Sequence, residues 1–170
     1  DSSTRRNLEL TETLREKQRR GSLLWVLDKT RTAMGARLMR TFIEQPLVQK
    51  DSILERQNAV EELNMSYITR EDIREHLNSV YDLERLMGRI SYKSANPRDM
   101  IAFGSSLKML PHIKHLLGEM NAPVLRAVYE DLDPLEDVAQ LIENSIVEDP
   151  PITVREGGII KDGYHEEADR

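Results

Sequence analysis

The chain has 170 residues, of which 39% are hydrophobic and 32% charged, and its formal net charge is -6 at pH 7. This length suits about one domain that buries roughly 70% of its unfolded surface. The chain has no cysteine, which excludes disulfides, thiolate zinc sites and cysteine nucleophiles. No apolar run approaches the ~20 residues of a membrane span, so we expect no membrane partner. The acidic net charge opposes binding to phosphate backbones, and any DNA contact would have to be local.

Both ends of the chain have features of a segment taken from a longer protein. The first methionine is Met34, and no basic and apolar signal segment precedes it. Residues 164–170 have the acidic character that favours the first turn of a helix, but nothing follows to continue it. We therefore expect a domain fragment in which residues 166–170 are the root of a truncated helix.

The N-terminal part of the chain combines a predicted short strand with a basic loop. Residues 4–10 alternate in polarity, with Leu8 and Leu10 on one side, which predicts a short strand and a loop within residues 1–14. The run REKQRRG at residues 15–21 is typical of a solvated loop, and the alternative of DNA binding lacks interleaved aromatic residues. Residues 23–27 are apolar on all sides, so we expect them to be buried and Trp25 to anchor the core.

Residues 28–47 contain the clearest helical pattern of the chain. Thr30 or Thr32 can cap its start, and Pro46 ends it, because the residue before a proline is disfavoured in a helix. We expect Gly35 to allow the close approach of a neighbouring helix. A buried stripe is predicted from the apolar residues that recur on one face, Met34, Leu38, Met39, Phe42 and Ile43.

Capping signals predict further helices, which together make a helical body over residues 22–147. Asn96 followed by Pro97 predicts the start of the longest helical pattern, and Pro111 predicts a kink or break within it. Other starts are predicted at Ser52 with Glu55, Thr69 with Asp72, Asp82, Pro123, and Asp133 with Pro134.

The sequence pattern changes from helical to extended after Pro150-Pro151. Residues 152–154 and 159–160 predict short strands, with Gly157-Gly158 between them, and thus a β-hairpin over residues 150–165. Leu8 and Leu10 could pair with this hairpin. The predicted fold class is therefore mainly α: a multi-helix core with a small β element formed by the N-terminal segment and the C-terminal glycine-rich hairpin.

The sequence contains no motif that predicts catalysis. The phosphate-binding pattern G-x-x-x-x-G-K-[ST] is absent. His112 and His115 are three residues apart, but a metal site needs three or four ligands, so a small metal-dependent enzyme is the least favoured alternative. Ser105 and Ser106 lack the turn of a serine nucleophile and are expected to allow close helix packing. We predict no catalytic, cofactor-binding, metal-binding or DNA-binding residue in this chain.

Four stretches resemble the MutS family of DNA mismatch-repair proteins, in the order and spacing of that family. The helix of residues 28–47 carries the pattern D-x-T-x-T-x-M-G-x-R-x-(L/M). The other stretches are TRRNLEL at residues 4–10, DLERLMGRI at residues 82–90, and PPITVREGGIIKDGYHEEADR at residues 150–170. On this resemblance, residues 1–170 are a single fragment of the core, or lever, region of a bacterial-type member.

The resemblance implies a structural role in a larger, cytoplasmic parent protein. In this family the core region joins mismatch-recognition and connector domains to a DNA clamp and to an ATPase that uses ATP and magnesium. The implied partners are the remaining domains of the parent, mismatched duplex DNA contacted through the parent, and a second parent subunit in a homodimer. The alternative function is that of a free-standing helical module that binds a partner protein through an exposed apolar groove.

Overall fold

A computed structural model describes residues 2–165, and the fold of these residues is mainly helical, as the sequence predicts. The predicted helix at residues 166–170 lies outside the described residues. No helix of the described range is long and apolar enough to cross a membrane. The helices are α1 (Ser2–Asn7), α2 (Leu23–Leu27), α3 (Ala33–Glu44), α4 (Lys50–Met65), α5 (Tyr67–Asn78), α6 (Leu83–Ser91), α7 (Pro97–Leu107), α8 (Leu110–Leu117), α9 (Pro123–Asp131) and α10 (Glu136–Ser145).

Two apolar cores hold the helices together. The first core lies among α4, α5, α8, α9 and the turns next to them, and its buried residues are Ala59, Val80, Ile113, Leu117, Met120, Ala122 and Leu125. The second core lies among α6, α7 and α10, and its buried residues are Leu86, Phe103, Leu107, Ala139 and Ile142. Leu83, at the start of α6, packs against both cores and joins them. Burial of the larger side chains stabilises the fold by about 1.5–3 kcal/mol each.

Three predicted helix starts are confirmed by hydrogen bonds of the capping side chains. Thr32 caps α3 and Asp82 caps α6, each accepting from the backbone N–H three residues ahead, at 3.0 and 3.3 Å. Asn96 and Asp99 form a reciprocal capping box at α7, with N···O distances of 2.8 and 3.0 Å. These contacts satisfy backbone N–H groups that have no acceptor within the helix.

Pro111 interrupts the longest helical pattern, as the sequence predicts. α7 ends at Leu107 and α8 begins at Leu110, so that Pro111 lies in the first turn of α8. A proline has no N–H to donate to the carbonyl four residues before it, which here belongs to Leu107. As a result, Leu107 contributes to the second core while Ile113 contributes to the first.

The predicted start at Pro123 is confirmed by α9, whereas two other predicted starts are wrong by three residues. Two pairs with the spacing of a cap lie inside helices: Ser52 with Glu55 in α4, and Thr69 with Asp72 in α5. Inside a helix, most backbone N–H groups already donate to the preceding turn and need no cap.

The start of α10 is also displaced, from Pro134 to Glu136. Leu135 takes a left-handed φ of 51°, and the Asp133 carboxylate accepts from the Leu135 N–H at 3.0 Å. Asp133 therefore forms a local turn of the kind that aspartate favours, and the helix starts after it.

The N-terminal part of the predicted β element is wrong. Residues 2–7 form α1 rather than a strand, and the following turn folds back against α2. The backbone N–H groups of Leu23 and Leu24 donate to the carbonyls of Glu9 and Leu10 at 3.0 and 2.9 Å. These carbonyls are thus bound by the start of a helix, which removes them from any ladder with the C-terminal segment.

The predicted C-terminal hairpin is also wrong, since residues 2–165 contain no strand. The extended pairing there is a single antiparallel bridge between Ile146 and Ile160. Thr153 and Glu156 instead form a capping box that starts a short 3-10 turn at Val154–Glu156. Local side-chain hydrogen bonds therefore outcompete the β tendency of the isoleucine and valine residues nearby.

The predicted burial of α2 and of the α3 stripe is wrong in part. Trp25 is 47% exposed, and the one buried side chain of α2 is Leu24. α3 has no fully buried residue, and its Leu38 is 53% exposed. The other described helices cover only part of the apolar faces of α2 and α3. The apolar pattern therefore predicted that these two segments are helical, but it did not predict how far they are buried.

Gly104 of α7, which has no side chain, lies in close contact with α10. A Cβ built on Gly104 would lie 3.0 Å from Cγ2 of Ile142, whereas a Cβ on Gly88 of α6 has no heavy atom within 4 Å. We expect Gly104→Leu to lower the free energy of unfolding by about 1–3 kcal/mol through overpacking. The control Gly88→Leu should leave it unchanged or raise it by up to about 1 kcal/mol through helix propensity. Urea denaturation of both variants measures this, and equal effects would contradict the assigned α7–α10 packing.

Candidate functional site: the junction of α3 and α6

The histidines considered as metal ligands lie at the interface of α5 and α8. The His112 ring stacks on the His76 ring, with centroids 5.1 Å apart and an interplanar angle of 10°. His115 lies in the same shallow pocket as both rings. Over residues 2–165, no group of three or more His, Cys, Asp or Glu is placed to hold a metal ion. The absence of metal, cofactor and catalytic sites from the whole chain stays a prediction.

Of the two serines at the end of α7, Ser106 is buried and hydrogen-bonded, whereas Ser105 is exposed. Ser106 is fully buried, and its hydroxyl donates to the Ala102 carbonyl at 2.8 Å and accepts from the Tyr81 N–H at 2.9 Å. Ser105 is exposed. Ser106 therefore attaches the turn before α6 to α7, a role that the sequence did not indicate.

The D-x-T-x-T part of the sequence motif forms the entry to α3. Asp28 accepts from the Thr30 N–H at 3.0 Å and from the Thr30 hydroxyl at 2.6 Å, and it also accepts from the guanidinium of Arg19. The hydrogen bond from the Thr30 hydroxyl contributes most to lowering the pKa of Asp28. Thr32 then caps the helix. Asp28 and both threonines thus fix the path of the backbone into α3.

Gly35 faces this entry turn rather than a neighbouring helix, so the predicted role is corrected. A Cβ on Gly35 would lie 3.1 Å from the Thr32 hydroxyl and 3.3 Å from Cβ of Thr30. The glycine therefore leaves room for the two threonines that shape the turn.

Arg37, in the middle of α3, reaches two carboxylates at the start of α6. Its two terminal nitrogens each donate to one oxygen of Asp82 at 2.7 Å, which makes a bidentate pair. Its Nε donates to Oε2 of Glu84 at 3.1 Å. Asp82 and Glu84 lie in the motif stretch DLERLMGRI, whereas Arg37 lies in that of residues 28–47, so this contact joins two of the four stretches.

Asp82 has two functions at once. Its Oδ1 caps α6 by accepting from the Arg85 N–H, while both of its oxygens bind Arg37. The hydrogen bonds from Arg37 are the main cause of a lowered pKa of Asp82, and the same pair raises the pKa of Arg37. The Asp82 side chain is 21% exposed, so solvent screens this carboxylate less than a fully exposed one.

A second carboxylate joins α4 to α9. Glu62 accepts from the backbone N–H of Ala122 at 2.6 Å and of Asn121 at 2.8 Å. These two hydrogen bonds lower the pKa of Glu62, and the bond from Ala122 contributes more than the bond from Asn121. A side chain of α4 thereby satisfies N–H groups at the start of α9, where no local side chain caps the helix.

Two further carboxylates connect the helices of the second core. Asp99 of α7 accepts from Arg89 of α6 at 2.6 Å, and Glu143 of α10 accepts from Lys108 at 2.6 Å. Burial opposes the ionised form of Asp99, but hydrogen bonds from Asn96 and Arg89 outweigh it, and the net shift lowers the pKa. The Lys108 ammonium lowers the pKa of Glu143. We call Glu62, Asp82, Asp99 and Glu143 the junction carboxylates.

The arrangement positions helices and offers no reacting group. Each junction carboxylate receives donors from a second helix or its flanking turn, and the two cores fill the space between. Such contacts hold α3, α6, α7 and α10 in one orientation and would move them together. The site therefore fixes the relative placement of these helices.

Comparison with known proteins identifies the family. A family profile described as MutS domain III matches residues 3–169. A DNA mismatch repair protein MutS from Lachnoclostridium phytofermentans is 66% identical over 169 residues, which make up 99% of this chain and 18% of that protein. The protein of the same name from Ruminiclostridium cellulolyticum is 55% identical over 170 residues, which make up 100% of this chain and 20% of that protein. The chain belongs to the MutS family, within its domain III, and spans about a fifth of the length of these relatives.

We expect Asp82→Ala to lower the free energy of unfolding by about 1–2 kcal/mol, because it removes a helix cap and a partner of Arg37. Asp82→Ser keeps a capping oxygen and should fall between wild type and Asp82→Ala. Arg37→Ala should lower the Tm of the wild type more than that of Asp82→Ser, since the shared contact is already lost there. Arg40→Ala is the control, because within residues 2–165 the Arg40 side chain pairs with Glu44 of the same helix alone. An equal decrease in Tm on Arg37→Ala in the wild type and in Asp82→Ser would contradict the contact between Arg37 and Asp82.

The junction carboxylates also predict how stability depends on pH. Their pKa values are lowered in the folded state, so their stabilisation is complete above the unfolded pKa and is lost as pH falls through the folded pKa. The Tm should be nearly constant from about pH 7 to 5 and fall below about pH 4.5, the ordinary pKa of glutamate.

The variant Glu62→Gln isolates one junction carboxylate from the other acids of the chain. The Tm difference between wild type and Glu62→Gln should be largest near pH 7 and should shrink below about pH 4.5. Glu61→Gln is the control, because the exposed Glu61 side chain makes no hydrogen bond within residues 2–165. A pH-independent difference for Glu62→Gln would refute the assigned contact with the start of α9.

Proposed function

We propose that this chain is a structural, non-catalytic segment of a DNA mismatch-repair ATPase and couples its ATPase to its mismatch-recognition and DNA-clamp domains. The parent would bind ATP and magnesium, contact mismatched duplex DNA and form a homodimer. The family membership supports the mismatch-repair assignment. The observation that most supports coupling is the bidentate Arg37–Asp82 contact, because it links two motif stretches through a helix cap.

The full-length parent provides the test of coupling. We expect Arg37→Ala to leave basal ATP turnover and mismatch affinity within about twofold, while stimulation of turnover by mismatched DNA falls at least about threefold. Arg40→Ala is the matched control on the same helix. Stimulation that survives Arg37→Ala unchanged would refute transmission through this junction, even if the mismatch-repair assignment stands.

The isolated chain provides a separate test of the non-catalytic assignment. It should hydrolyse no ATP, since the phosphate-binding pattern is absent, and it should show no preference for mismatched over matched duplex in an anisotropy titration. ATP turnover that copurifies with the chain would contradict the proposal.

The alternative of a free-standing interaction module requires apolar side chains that are exposed in the described structure. Val48, Met65 and Ile68 are 89%, 80% and 75% exposed. A segment that spans about a fifth of its relatives' length would show the same exposure wherever other domains cover it, so this observation does not favour the module.

A further inference from the structure

A locally basic segment of the chain contains its most apolar short helix. Residues 15–31 contain six Lys and Arg against two Asp and Glu, a local net charge of +4 in a chain of -6. Within these residues lies α2, on which Trp25, Val26 and Leu27 are 47%, 53% and 47% exposed. Apolar exposure and positive charge therefore coincide on one segment.

Hydrogen bonds hold the basic loop against both ends of α2. At the start of the helix, the buried Ser22 hydroxyl donates to the Arg19 carbonyl at 2.7 Å. At its end, the guanidinium of Arg19 pairs with Asp28, the residue that follows the last turn. Arg19 thus connects the two ends of α2, which keeps the basic loop beside this helix.

Most cations of this surface have no carboxylate of the described residues to neutralise them. Arg19 is engaged with Asp28, but Arg15, Lys17, Arg20, Lys29 and Arg31 are exposed and make no ion pair within residues 2–165. We call Trp25, Val26, Leu27, Arg15, Arg20 and Lys29 the Trp25 surface. Tryptophan and arginine are the residue types most enriched where protein interfaces gain their binding energy.

We propose that the Trp25 surface binds an acidic amphipathic segment of a partner protein, with apolar side chains on Trp25, Val26 and Leu27 and carboxylates on the surrounding cations. This inference goes beyond the coupling role and does not depend on it. Exposed cations on both sides of exposed apolar residues in one segment match a partner with the opposite charge and apolar side chains of its own.

Two other occupants fit this surface less well. Duplex DNA would satisfy the cations through its phosphates but would leave the aliphatic side chains of Val26 and Leu27 without an apolar complement. A second copy of the chain in a two-fold dimer would bring two identical surfaces of charge +4 together, which repel each other.

A labelled helical peptide of about 16 residues, with leucines on one face and glutamates on the other, is the probe. Its fluorescence anisotropy is titrated with the 170-residue chain at about 0.15 M salt, beside a twin in which lysine replaces glutamate and a labelled duplex of about 20 base pairs. We expect the glutamate peptide to bind at least about tenfold more tightly than either alternative. Because Trp25 is the one tryptophan of the chain, its emission should shift to shorter wavelength when an unlabelled peptide binds.

Variants locate the binding surface. Trp25→Ala, and the double variant Arg15→Glu with Arg20→Glu, should each weaken peptide binding at least about tenfold. The matched control is Lys50→Glu with Arg155→Glu, which reverses two exposed cations elsewhere and should change the affinity less than about twofold. Circular dichroism and Tm measured on each variant confirm that the fold is retained.

Several results would overturn the proposal. Failure of the glutamate peptide to bind, or equal binding of its lysine twin, would remove the acidic partner. Tighter binding of the duplex would make the surface a nucleic-acid site. Concentration-dependent dimerisation that Trp25→Ala abolishes would make it an interface between copies. Equal weakening by the control variant would show that binding is not located at Trp25.

Discussion

The guanidinium of Arg37 is the contact on which the arrangement of α3 depends. α3 buries none of its residues completely, so apolar packing alone holds it weakly against the two cores. The bidentate contact with Asp82 supplies the orientation that packing does not, because its planar geometry accepts only a narrow range of positions. Since Asp82 also caps α6, any movement of α3 acts directly on the start of the helix that touches both cores.

The junction carboxylates share one physical arrangement. Each draws a positive group or free backbone N–H groups from a second helix or its flanking turn, which lowers the pKa and favours one helix orientation. Glu62 shows this most clearly, since from α4 it binds the backbone N–H groups of Asn121 and Ala122, the two residues that precede α9. The structure therefore combines two apolar cores, whose packing energy depends little on orientation, with hydrogen bonds and ion pairs, whose energy depends on it strongly.

Sequence reasoning predicted the structure correctly where neighbouring residues alone decide it. Asn96 with Asp99 marked α7 because both residues satisfy each other's backbone, and Pro111 marked a break because no tertiary contact can restore its missing N–H. Asp82 was predicted as a cap. Its second donor, Arg37, lies 45 residues away and could not be derived from spacing, although both residues stand within the motif stretches.

Predictions failed where tertiary context decided the outcome. The apolar pattern of α2 was correct, but whether Trp25 is covered depends on what lies beside it, which periodicity does not report. The predicted strands do not form, because their backbone groups make other hydrogen bonds. Thr153 and Glu156 bond to each other in a capping box, and the carbonyls of Glu9 and Leu10 accept from the start of α2. β-structure needs a distant partner for every backbone group, so it is the element most easily displaced in this way.

The most direct test measures the orientation of α3 relative to α6. Because the chain has no cysteine, Arg40→Cys on α3 and Met87→Cys on α6 create two unique positions for spin labels. Electron–electron double resonance should give one narrow distance distribution, and Arg37→Ala should broaden or shift it while the helix content stays constant. An unchanged distribution in Arg37→Ala would contradict the claim that this polar junction sets the position of α3.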